Sequence, residues 1–88
     1  MKIKKGFTLR PFADQWIAIP DSQAQMPKGT VVAFNEVGYF LWNCMQEECS
    51  VEEMTQQLLA NYTVTEEKAR QDVLRFVEQL RKENLLEN

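Results

Sequence analysis

Histidine is missing from this chain, which removes the commonest general base and the usual nitrogen ligand for metals. Serine–histidine and cysteine–histidine triads cannot be assembled without it. Cysteine is scarce: Cys44 and Cys49 are too few for a disulfide framework. Their spacing fits neither the two-residue gap of redox motifs nor the paired gaps of zinc sites. Cys44 lies on the apolar side of a helical pattern and reads as a packed free thiol, and Cys49 reads as a thiol in a loop. Long hydrophobic runs are absent too, since nothing approaches the roughly 18 apolar residues of a membrane span. The start Met1-Lys2-Ile3-Lys4-Lys5-Gly6 has the charge of a signal peptide but no apolar segment behind it, because Thr8, Arg10, Asp14 and Gln15 break up the next stretch. A soluble cytoplasmic protein without membrane association is expected. Basic excess is lacking as well: a net charge of −3 argues against nucleic acid, whose non-specific affinity comes from lysines and arginines that neutralise phosphates.

What is present suits one small domain over residues 1–88, with 44% hydrophobic residues to form a modest core. No internal repeat or low-complexity tract interrupts it. Phe7-Thr8-Leu9-Arg10-Pro11-Phe12 alternates apolar and polar before its proline, and Trp16-Ile17-Ala18-Ile19 is a second β-rich run across Ala13-Asp14-Gln15, so the two predict a hairpin. Pro20 to Gly29 reads as a polar loop, and Thr30 to Phe34 as a third strand.

At Asn35 the period changes. Val37, Phe40, Leu41, Cys44 and Met45 fall three or four apart, predicting a first helix capped by Asn35 and ending near Glu47. Ser50-Val51-Glu52-Glu53 is a capping box opening a second helix to about Asn61, with Val51, Met54, Leu58 and Tyr62 inward. Thr65-Glu66-Glu67 opens a third, whose core stripe is Ala69, Val73, Phe76, Val77 and Leu80. Arg81-Lys82 suits its last turn, and Asn84 can take a left-handed C-cap before Leu85-Leu86 folds back on the core. The expected fold is α+β: a three-stranded antiparallel sheet followed by three helices, as in small winged helix-turn-helix-like domains.

The order and spacing of these pieces resemble the PqqD family over nearly the whole chain. The resemblance runs from Phe7-Thr8-Leu9-Arg10 through the junction Phe34-Asn35-Glu36-Val37-Gly38 and the aromatic segment Tyr39-Phe40-Leu41-Trp42. It continues in Ser50-Val51-Glu52-Glu53, in Asp72-Val73 with Phe76 and Leu80, and in Leu85-Leu86. Two turns depart from the family pattern: Glu47-Glu48-Cys49 replaces an acidic-glycine turn, and Asn84 a glycine before the final leucines. The resemblance implies a peptide recognition element, without cofactor or catalysis, that binds the leader region of a ribosomally made precursor and presents it to a modifying enzyme. For PqqD that enzyme is a radical S-adenosylmethionine protein. It also implies that the leader adds as a strand to the free edge of the third strand and lies against the third helix.

The residues themselves leave choices open. Thr30, Val31, Val32, Ala33 and Phe34 carry no lysine, proline or inward charge to blunt an edge, so the strand either docks a peptide, or is central in the sheet or covered by its own loop. Laid out at about 100° per residue from Ala69, the third helix centres its core near 20°, with Arg70 near 100°, Arg81 near 120° and Leu74 near 140°. Arg70, Leu74, Val77 and Arg81 are therefore nominated as a groove wall; alternatively Leu74 is an ordinary exposed leucine and Arg70 and Arg81 are solvated, one of them pairing with Glu67 or Glu78. Trp16 and Trp42 suit core or rim packing better than ligand platforms. The alternative function is a winged-helix DNA-binding regulator, which Glu66 and Glu67 at the start of its recognition helix oppose. Paired acids such as Glu52-Glu53 suit helix capping better than catalysis. Oligomeric state is not encoded in any motif.

Overall fold

The computed structural model describes residues 1–20 and 32–87. Its elements are β1 (Lys2–Ile3), β2 (Phe7–Phe12), β3 (Gln15–Pro20), β4 (Ala33–Phe34), α1 (Glu36–Cys44), α2 (Val51–Asn61), α3 (Glu66–Lys82) and β5 (Leu86–Glu87). The expected α+β fold is observed, with β2, β3 and β4 forming an antiparallel sheet in that order. Leu9 pairs with Ala18, and both are buried, so one face of the β2–β3 hairpin packs on the core while Thr8, Arg10 and Phe12 face out.

Each helix starts where a local side chain can satisfy its free N–H groups. Asn35 accepts from the Gly38 N–H at 2.9 Å, Ser50 and Glu53 form the reciprocal box at 3.0 Å each, and Thr65 accepts from Lys68 N–H at 3.1 Å. α3 ends in a full Schellman turn: Asn84 is left-handed at φ 58°, its N–H reaches Arg81 O, and Leu85 N–H reaches Leu80 O. That turn folds Leu85 into the core beside Leu80, as the sequence predicts.

Phe34 holds the layers together. Its ring lies 5.6 Å from Trp42 of α1 and 5.4 Å from Phe76 of α3, so the last strand residue is anchored by both helices. All five residues of the expected α3 stripe are buried. In α2, Met54 and Leu58 are buried as expected, joined by Thr55, whose hydroxyl is satisfied by Val51 O at 2.8 Å, while Val51 and Tyr62 are half-buried. α1 stops at Cys44 rather than Glu47, because Met45 N–H folds onto Leu41 and Trp42 carbonyls and tightens the last turn.

Two features differ from the expectation of three strands. A separate two-stranded sheet is added: β1 pairs antiparallel with β5, Lys2 opposite Glu87 and Ile3 opposite Leu86. Two-residue strands carry no periodicity, so no pattern in the sequence marks them. The third strand is also shorter: Ala33–Phe34 is strand, Val32 continues its ladder through an Ala18 N–H to Val32 O bond of 3.0 Å, and Thr30 and Val31, like the Pro20–Gly29 loop beyond Pro20, lie outside the described residues.

Candidate functional site

β4 is an edge strand among the described residues, and its backbone direction decides what that edge offers. Val32 O is taken by Ala18, so the alternation of an antiparallel ladder turns the N–H and C=O of Ala33 away from β3. The side chains alternate the other way. Val32 and Phe34 are buried at 2% and 3% exposure, with their side chains in the core and their backbone groups turned towards β3.

Outside Ala33 lies a cleft of about 530 Å³ between β4 and α3. Phe34, Leu41 and Phe76 form its apolar floor, Gln15 and Asn35 stand on the strand side, and Val64 on the helix side. The α3 wall is Lys68, Asp72, Arg75 and Gln79, spaced three or four apart on one flank of the helix. Lys68 and Asp72 pair at 2.6 Å, Gln79 Nε2 donates to Ala33 O at 3.0 Å, and Arg75 makes no ion pair among the described residues. Among the described residues the wall therefore carries one positive charge without an ion-pair partner above an apolar floor. Such a cleft can take an extended chain through Ala33, hold apolar side chains below, and favour an acidic group near Arg75.

The structure places the α3 residues nominated from the sequence away from this cleft. Counted at about 100° per residue from Ala69, the cleft wall falls at roughly −60° to −120°, whereas Arg70, Leu74 and Arg81 sit at roughly 100° to 140°. They occupy the opposite flank of the core stripe. Arg70 binds Glu52 of α2 through both terminal guanidinium nitrogens and also reaches Glu66 at 3.6 Å, while Arg81 pairs with Glu78 at 3.0 Å. The hydrogen bond from Arg70 holds the Glu52 carboxyl below the usual carboxylate range. Leu74 is exposed, and Val77 is buried at 4%, a core residue and not a wall. Ala33 is thus the nominated residue brought to the cleft by both its position and its outward backbone, with Phe34 supplying floor.

Lys68, Asp72, Arg75 and Gln79 do not stand out in the sequence because both flanks of a core stripe look alike in a helical projection. Which flank lies over β4 depends on the hand of the α1–α2–α3 path, and no local residue reports it. The same geometry weakens the DNA reading: the arginines on the outer flank are already paired with carboxylates, and Glu66 and Glu67 occupy the first turn of α3. No helix among the described residues is long and apolar enough to cross a membrane.

Comparison with known proteins places this geometry in a family. The solved structure of TbiB1 in complex with the TbiA(beta) leader peptide is similar to this chain with a TM-score of 0.73 and 24% sequence identity, over 100% of this chain and 96% of that one. At that identity the likeness shows a shared fold. Among curated proteins no significant match is found. The family model for coenzyme PQQ synthesis protein D matches residues 19–86, which spans β4, all three helices and the named cleft residues except Gln15, and the chain belongs to the PqqD family.

Proposed function

We propose that this chain is a peptide-binding adaptor that takes the leader segment of a ribosomally made precursor as an added strand on β4 and presents the rest to a separate modifying enzyme. It acts as one domain over residues 1–88, by binding and not by catalysis, and in the cytoplasm. A radical S-adenosylmethionine enzyme is the partner type that family membership suggests. The observation that carries the reading is the outward backbone of Ala33 facing the polar flank of α3 across an apolar floor. Strand addition uses backbone rungs for affinity and side-chain pockets for selectivity, and the outward Ala33 backbone and the apolar floor support both. TbiB1, of the same fold, is held in complex with a leader peptide.

The test uses synthetic peptides, the N-terminal halves of any short reading frames neighbouring this chain's gene, titrated calorimetrically into wild type, Ala33→Pro and Leu74→Glu. Proline at Ala33 deletes the outward N–H while sparing the ladder to β3, and edge strands tolerate it. Affinity should fall about fivefold or more, the worth of a hydrogen bond near 1 kcal/mol. Leu74→Glu, on the other flank, should bind like wild type. No binding by the wild type, or a loss in Leu74→Glu with Ala33→Pro unaffected, would sink the reading.

A further inference from the structure

The outward carbonyl of the strand edge is already in use. Gln79 reaches from α3 across the cleft and donates its side-chain amide to Ala33 O at 3.0 Å, a contact between residues 46 apart in sequence. A primary amide N–H has the donor chemistry of a backbone N–H, so this bond occupies the position that the first rung of an added strand would take. Gln79 is half-buried and lines the cleft, so a peptide backbone running along β4 meets both the bond and the side chain that makes it.

We propose that Gln79 is a displaceable latch on the peptide-binding edge: its amide satisfies Ala33 O in the free protein and leaves when a peptide pairs with β4. The proposal rests on the peptide-binding reading and deepens it by naming what the peptide must replace. Exchanging one amide donor for another changes the hydrogen-bond total by little. The rung at Ala33 O therefore fixes register and adds little affinity, which shifts discrimination to the apolar floor and to Arg75, one turn before Gln79. Displacement also leaves the Gln79 amide beside the incoming chain.

The experiment compares wild type, Gln79→Leu and Gln79→Glu in calorimetric titration with the same synthetic peptides, and follows the Gln79 side-chain amide by NMR in the wild type. Leucine keeps bulk and lacks the donor; glutamate keeps the shape and, when ionised, repels the carbonyl. Both variants should bind about two- to tenfold tighter, the range expected for one hydrogen bond no longer in competition. The wild-type amide protons should exchange slowly when free and reach solvent-like exchange at saturation. If the wild type binds but both variants bind equally or more weakly, or if the Gln79 amide is unmoved at saturation, the latch is overturned and the peptide-binding reading stands. If the wild type does not bind, the reading falls and the latch with it. The NMR arm needs no variant to fold.

Discussion

Burial pushes the ionisation of both thiols to higher pH, and each has a different neighbourhood. At Cys44 desolvation leads and the nearby Cys49 adds to it; at Cys49 desolvation leads, the Glu53 carboxylate adds, the N-terminal amine opposes and Glu48 adds again. A thiol raised above its ordinary 9.0 keeps its proton in the fold at a pH where the unfolded chain has lost it. Stability from these groups is therefore whole below the ordinary value and declines as pH rises through the folded one. Thermal melts should show wild type losing more stability from neutral to alkaline pH than Cys49→Ala does; parallel curves would refute this. Cys49 was readable as a turn thiol because its sequence neighbours are polar. Its burial at 8% was not, since its backbone N–H bonds to Met1 O and residues so distant share no local pattern.

Among the elements, the β4–α1 junction shows what sequence can and cannot specify. The caps at Asn35, Ser50, Thr65 and Asn84 were all legible because a cap is a contact within three or four residues. Gly38 carries a less visible constraint: a Cβ there would lie 2.9 Å from Phe34 Cβ and 3.3 Å from its ring. The helix can thus turn back closely over the strand it follows. Gly38→Ala improves helix propensity by about 1 kcal/mol, yet the clash should cost more, a net destabilisation of roughly 1–2 kcal/mol. Because the displaced residue is Phe34, peptide affinity should fall together with stability. Urea unfolding and leader titration on the same variant check this, and a more stable Gly38→Ala protein would refute it. The pairing of α3 with β4 belongs to this scale too. Its core stripe is readable from periodicity alone, but a stripe has two flanks, and the exposed Leu74 marks the one that does not line the cleft.

At the scale of the molecule, the first and last strands close the fold on each other. Ile3 is buried at 4%, its N–H bonds to Met45 O at 3.1 Å, and Lys4 N–H reaches Leu85 O at 2.9 Å, so this segment joins the α1–α2 turn to the end of α3. Ile3→Ala should cost about 2–4 kcal/mol in denaturant unfolding, as for other buried aliphatic truncations, and a loss below about 0.5 kcal/mol would mean the segment is dispensable. β1 and β5 run antiparallel with Lys2 opposite Glu87, so the chain passes in and out of that pair side by side. A pulling force applied across these two residues would open the pair one rung at a time and not shear all rungs together. The protein should therefore yield at low force from that corner first, with the β2–β3–β4 sheet and its cleft still folded while the corner gives way.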